Sequence, residues 1–207
     1  MQIWAIQISW PSGAWLLRDN IKTLVVGTTP DYVDWIRQGC PRRALFITDP
    51  FLRLGSKSPV SPQGDELLCD LSDYGLVSQA LKRHLQLEGL SLDGVACYDC
   101  ESMELTALLA REYALPYPSV QAIRNCRNKY ISKTLWQKNN LCTPRARIIR
   151  SEKEAALFLR ELKTDCVLKP LSGSGSELIY HCNTELQCKR NFREIKKNLI
   201  PRRTHRL

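Results

Sequence analysis

The stretch Cys166–Tyr180 reads CVLKPLSGSGSELIY and is the most informative part of this 207-residue chain. It predicts a short buried strand ending at Lys169, a loop of small residues, and a second strand over Glu177–Cys182. Glycine and serine let backbone N–H groups approach an anion closely, and successive amides in a turn form a concave phosphate site. A lysine at the mouth of the loop adds a positive charge for the same phosphates.

Two common phosphate-binding motifs are excluded. The chain has no Gly-x-x-x-x-Gly-Lys-[Ser/Thr] run, so the loop is not a P-loop of the usual kind. Gly173 and Gly175 begin a Gly-x-Gly, but Leu178 occupies the third glycine position of a dinucleotide fingerprint. The alternative to an anion site is a flexible hairpin loop with no ligand.

A second lysine segment lies upstream, in a predicted helix over Asn125–Asn139. Lys129 and Lys133 fall on one face of this helix, one turn apart. A strand over Ala146–Ile149 and a helix with a capping box at Ser151 and Glu154 are predicted to follow. A last helix is predicted from about Thr184 to Leu199.

The first half of the chain alternates strands and helices. This rhythm predicts a mostly parallel sheet of four or five strands covered on both faces. Strands are predicted at Ile21–Val26, Ala44–Ile47, Glu66–Asp70 and Leu92–Tyr98, helices from Pro30, Ser72 and Glu101, and a surface loop over Pro50–Gly64.

Taken in order, these segments resemble the ATP-grasp family over about half of the chain, from Asp93 to about Leu199. The matching pieces are Asp93-Gly94-Val95, the helix from Glu101 to Ala114-Leu115-Pro116, Asn128-Lys129, Leu141-Cys142-Thr143-Pro144, the Ser151 helix, and Leu168-Lys169-Pro170 with its Gly/Ser loop.

The resemblance implies an α/β fold, with a Rossmann-like domain followed by a small α+β lobe. Residues 21–120 would form the domain that precedes the ATP-grasp region, and 121–200 its first lobe. Residues 1–20 would be an N-terminal leader and 201–207 a basic tail.

The same resemblance implies an ATP site. Lys129 resembles the first lysine that reaches the nucleotide phosphates, and Lys169 the second, which contacts phosphate and the adenine edge. The loop residues resemble the flap over the β- and γ-phosphates; they are Ser172, Gly173, Ser174, Gly175 and Ser176. Lys133 has no counterpart in the motif.

Full-length relatives are ligases that activate a small-molecule carboxylate as an acyl phosphate and join it to an amine. Their second lobe supplies an acidic adenine hinge and the carboxylates or Asn that hold Mg²⁺. The residues before Leu207 match neither, so the expectation is an incomplete, poorly active ATP-binding chain whose catalytic residues are unknown and which lacks metal ligands. Two alternative functions remain open: a non-catalytic α/β nucleotide-binding or interaction module, and a nucleic-acid binder with a basic tail.

The net charge of +9 is concentrated at the C-terminal end. From Lys189 to Leu207 there are eight Lys/Arg and one Glu, a net charge of +7, so the first 188 residues carry only +2. Such a tail binds nucleic acid or anionic membrane surfaces, or is simply a solvated helix with a disordered end. Since no aromatic residue after Phe192 can stack on bases, nucleic-acid binding is not favoured.

The nine cysteines indicate a reducing compartment. The N-terminal residues lack a basic start and a small-residue cleavage site, and no apolar run is long enough for a membrane span. A cytoplasmic protein with reduced thiols is therefore predicted. Cys97 and Cys100 form a Cys-x-x-Cys, but no second pair at zinc spacing accompanies them, so a free-thiol role is favoured over a metal or redox site.

Overall fold

The computed structural model describes residues 20–54, 64–173 and 175–199. A four-stranded sheet has the order β3-β2-β1-β4, and each neighbouring pair is parallel. Its strands are β1 (Ile21–Val26), β2 (Ala44–Thr48), β3 (Glu66–Leu68) and β4 (Ser91–Ala96). The helices of this region are α1 (Pro30–Gly39), α2 (Pro50–Leu54), α3 (Tyr74–Glu88) and α4 (Met103–Glu112). The predicted parallel α/β fold is confirmed.

A smaller set of elements follows. Its helices are α5 (Val120–Arg127), α6 (Lys129–Lys138), α7 (Glu152–Leu162) and α8 (Glu185–Asn198), and its strands are β5 (Cys166–Leu168) and β6 (Tyr180–Cys182). The two strands form an antiparallel pair in which Cys166 lies opposite Cys182. The predicted hairpin is therefore present. The domain boundary near residue 120 remains a prediction.

The sheet is covered on both faces because residues of each central strand alternate between two apolar clusters. On one face, Leu24 and Val26 of β1 pack with residues of α3 and α4 such as Leu81 and Leu109. On the other face, Val25 of β1 packs with Val33 of α1, Ala44 and Phe46. This double burial is the expected environment of central parallel strands.

A separate core lies under the hairpin. Helix α7 buries one face of its surface, through Ala155, Phe158 and Leu159. The hairpin contributes Cys166, Leu168 and Cys182, and α8 contributes Cys188. Burial raises the pKa of the Cys166 and Cys188 thiols, so without a ligand these groups are neutral at physiological pH.

The predicted single helix over Asn125–Asn139 is wrong. Asn128 leaves the helical conformation, with φ −89° and ψ 106°, and separates α5 from α6. Its side-chain oxygen accepts the N–H groups of Tyr130 and Ile131, both at 3.0 Å. An N-cap of this kind satisfies amides that begin a new helix, so the break is built into the sequence.

Two predicted strands are also corrected. Ala146–Ile149 is irregular, since it has no hydrogen-bonded partner strand in the described part of the chain. The strand predicted over Glu177–Cys182 begins only at Tyr180, because turn geometry precedes it: φ is +59° at Ser176 and +54° at Leu178. Left-handed residues cannot continue a pleated ladder.

Smaller corrections concern element ends. The segment predicted as a loop over Pro50–Gly64 begins with the short helix α2, and residues 55–63 lie outside the described residues. Asp73, rather than Ser72, caps α3 by accepting the Leu76 N–H at 3.0 Å. Residues 1–19 of the predicted leader and 201–207 of the predicted tail also lie outside the described residues, whereas the basic segment up to Asn198 is helical as predicted.

None of the helices in the described ranges has the length and apolar character that crossing a membrane requires.

Gly27, at the end of β1, is required by a close approach. Its φ is +61°, and an added Cβ would lie 2.5 Å from the Cβ of Ser102 and 3.0 Å from Oδ2 of Asp99. Gly89, at the C-cap of α3, has the same φ of +61° with no heavy atom within 4 Å of such a Cβ. The two glycines share the backbone requirement and differ only in the surrounding space.

We expect Gly27→Ala to destabilise the fold more than Gly89→Ala. The left-handed backbone alone costs an alanine about 1–2 kcal/mol, and overpacking against Ser102 adds about 1–3 kcal/mol at Gly27. Urea unfolding followed by circular dichroism measures both losses. Equal losses in the free energy of unfolding for the two variants would show that the loop after β1 moves aside for the added methyl group at no cost.

Candidate functional site

The loop between β5 and β6 carries the predicted anion-binding residues. Lys169 is exposed and directly follows the last residue of β5. Gly173 and Gly175 adopt φ of +114° and +71°. The value at Gly173 is one that residues with a Cβ rarely adopt, so glycine is required there. Backbone angles of this kind occur in the turns whose successive amides form concave anion sites.

The start of α6 holds this loop in place. Lys129 is the first residue of α6, and its backbone N–H donates to the Leu171 carbonyl at 2.9 Å. Its side-chain Nζ donates to the Gly173 carbonyl at 3.1 Å. Two hydrogen bonds from one residue therefore connect the lysine helix to the Gly/Ser loop. The amino end of a helix is itself favourable for an anion.

The positive charges of this region act on one another. The pKa of Lys129 is lowered, first by partial burial and then by the positive charges of Lys169 and Arg127. Arg127 also faces Glu101, with 3.5 Å between Nη2 and Oε1. Glu101 pairs with Arg127, and an added anion would relieve the repulsion that lowers the pKa of Lys129.

The predicted residues are brought together to different extents. Lys129 donates a hydrogen bond to Gly173, and the charge of Lys169 acts on Lys129. The same loop exposes Ser172, Gly175 and Ser176. Ser174 lies outside the described residues. The Nζ of Lys133 lies over the Trp136 ring, 4.1 Å from its centroid.

Sequence reasoning missed two contributors, Arg127 and Asn128. Arg127 adds the third positive charge and Asn128 caps the helix that presents Lys129. The signal was available for Asn128, since asparagine is among the strongest N-cap residues. For Arg127 no signal existed, because its proximity to the lysine depends on how α5 meets α6.

Comparisons with known proteins address the fold. No protein-family model matches the sequence, and no curated protein matches it. Three solved structures each match 84% of this chain: an L-amino acid ligase from Bacillus licheniformis, the biotin carboxylase domain of 2-oxoglutarate carboxylase from Hydrogenobacter thermophilus with MgADP, and N5-carboxyaminoimidazole synthetase from Staphylococcus aureus with ADP.

The fold is that of the ATP-grasp enzymes. The TM-scores for the three structures are 0.60, 0.55 and 0.53, at sequence identities of 18%, 17% and 15%. The chain spans 42%, 40% and 44% of their lengths, respectively. The resemblance found in the sequence is thus confirmed at the level of fold.

We expect Lys169→Met to raise the pKa of Lys129 toward its usual value. Removing a neighbouring positive charge favours the protonated form, so the shift is upward, although burial keeps part of the depression. A pH titration of ¹³C-methylated lysines by NMR measures it. Lys133→Met is the matched control and should change the Lys129 pKa much less. An unchanged value in Lys169→Met would show that the two ammonium groups do not interact.

Proposed function

We propose that this chain binds ATP through its phosphates, at Lys129, Lys169 and the loop over Ser172–Ser176. The observation that carries the proposal is the pair of hydrogen bonds from Lys129 to the loop, with the charge of Lys169 close enough to depress the Lys129 pKa. Holding cations together is unfavourable in itself. A triphosphate would neutralise them and make charge-assisted hydrogen bonds to them.

The phosphates, rather than the base, would supply most of the affinity. Each charge-assisted contact contributes about 1.5–3 kcal/mol. Lys129 is half-buried, so its interaction with a phosphate would be less screened by water than that of a fully exposed lysine. The amides of the loop would add donors and the amino end of α6 a favourable dipole, without adding charge.

We propose the chemistry of a carboxylate–amine ligase for the reaction in which this chain takes part. The similar structures include an L-amino acid ligase and two proteins solved with ADP, which supports an ATP-dependent reaction on small molecules. In such a reaction the carboxylate takes the γ-phosphoryl group, and an amine then displaces phosphate. The role proposed for the present residues is to bind and orient the phosphates. We also propose that turnover by this chain alone is poor.

Mg²⁺ is usually bound by one or two carboxylates together with substrate phosphates and waters. One of the similar structures was solved with MgADP. We propose no carboxylate of this chain as a metal ligand. No step of the reaction is therefore assigned to a metal held here.

We propose a cytoplasmic location, since all nine cysteines are free. Thiols persist in a reducing compartment and oxidise outside it. Fractionation of cells expressing the tagged chain tests this location, and recovery in an oxidising compartment would contradict it.

We expect Lys169→Ala to weaken ATP binding by about tenfold or more, because a phosphate contact is lost. The parent chain should bind a non-hydrolysable ATP analogue with a dissociation constant on the order of millimolar, worth about 4 kcal/mol. Titration by NMR or calorimetry measures both constants. Lys129→Ala should weaken binding similarly.

Lys133→Ala is the matched control, since it removes a lysine from the same helix one turn away. Its affinity should stay close to that of the parent. If Lys169→Ala binds the analogue as tightly as the parent, the loop is only a hairpin connection and the nucleotide proposal fails.

A further inference from the structure

Three buried thiols meet beneath the hairpin. The sulfur atoms of Cys166, Cys182 and Cys188 all lie within 4.8 Å of one another, and those of Cys166 and Cys188 are 3.9 Å apart. The three residues are 7%, 0% and 0% exposed, respectively. In the described part of the chain, no other group of three or more His, Cys, Asp or Glu side chains has this mutual geometry.

Three different elements create this cluster. Cys166 belongs to β5 and Cys182 to β6, and the antiparallel register places them directly opposite each other. Cys188 comes from the first half of α8, which packs on the hairpin. The spacing along the chain, 166, 182 and 188, has no resemblance to a Cys-x-x-Cys motif. Only the hairpin register and the docking of α8 bring the sulfurs together.

We propose that Cys166, Cys182 and Cys188 form a binding site for a thiophilic metal ion, Zn²⁺ or Cu⁺. A metal–sulfur bond of about 2.3 Å places sulfurs about 3.8–4.0 Å apart in tetrahedral or trigonal geometry. The Cys166–Cys188 separation already has this value. Thiolates without carboxylates or imidazoles select soft ions over Mg²⁺ or Ca²⁺.

The surroundings of the cluster suit bound thiolates. Asn191, on α8 and 6% exposed, donates its side-chain Nδ2 to the Cys182 sulfur at 3.3 Å. An N–H donor to a metal-bound sulfur offsets its negative charge and orients it, as outer partners do in other metal sites. Apolar side chains close the rest of the site, among them Phe158, Leu159 and Phe192.

A bound ion would act on the base of the loop rather than on the phosphates. It would join β5, β6 and α8 at one point, and Lys169 follows Cys166 by only three residues. The metal would therefore hold the hairpin that presents the Gly/Ser loop. This inference is independent of the nucleotide proposal, because its ligands and its readouts are separate.

The experiment is a titration of the reduced full chain with metal, under anaerobic conditions. Co²⁺ serves as the optical probe for the Zn²⁺ arm, and Cu⁺ is added in the second arm. We expect one equivalent of Co²⁺ to give the thiolate charge-transfer and d–d absorption of a sulfur-rich site and Zn²⁺ to displace it, or one equivalent of Cu⁺ to bind instead. The ion that binds should also raise the melting temperature by several degrees.

Two variants locate the ion. Replacing the four exposed cysteines, Cys40, Cys100, Cys126 and Cys142, with serine should leave binding unchanged. Cys188→Ala should weaken it by about tenfold or more, because one of three ligands is lost. In the parent chain, bound metal should also protect Cys166, Cys182 and Cys188 from alkylation, as read by mass spectrometry. This last measurement needs no variant to fold.

Failure to bind either Co²⁺ or Cu⁺ by the folded, reduced chain would overturn the proposal. So would unchanged affinity in folded Cys188→Ala, or protection of other cysteines in place of these three. In any of these outcomes the cluster is a patch of small apolar side chains in the core of the hairpin region.

Discussion

The hydrogen bonding of Lys129 to the Gly/Ser loop is the constraint on which the candidate site depends. Its backbone amide holds Leu171 and its ammonium group holds Gly173, so helix α6 and the loop form one structure. The arrangement keeps the charge of Lys169 within reach of Lys129, and this opposes the protonation of Lys129. A site that stores repulsion between cations is suited to an anionic ligand, because binding removes a cost that the free protein carries.

The hairpin provides the other half of this constraint. A two-stranded ribbon of three residues a strand has little stability of its own. Helices α7 and α8 pack against the ribbon. The core between them includes the side chains of Cys166, Cys182 and Cys188 beside apolar residues. The anchored strands hold both ends of the loop. The core contact and the proposed binding residue thus lie in one short segment of chain, in which Cys166 is buried and Lys169 is exposed.

Much of the fold was predictable from local pattern. The ends of β1 at Ile21 and Val26 agree with the sequence prediction, because a compact β-branched run ended by Gly27 has few alternatives. The wrong predictions concern segments whose residue pattern favours an element that the surrounding structure does not support. Ala146–Ile149 has strand-like residues but no neighbouring strand among the residues that the structure describes, and a strand exists only as part of a ladder. The break at Asn128 was missed because helical periodicity continues across it while the capping side chain interrupts the backbone.

The sequence by itself determined the parallel α/β architecture and the hairpin after Cys166, since each follows from patterns of residues close together in the chain. Tertiary structure alone decided the rest. The approach of Arg127 to Lys129 and the meeting of Cys188 with Cys166 depend on how separate elements pack. Periodicity specifies which face of an element is buried, but not which side chains of other elements it will contact. For that reason charge coupling and thiol clustering become visible only in three dimensions.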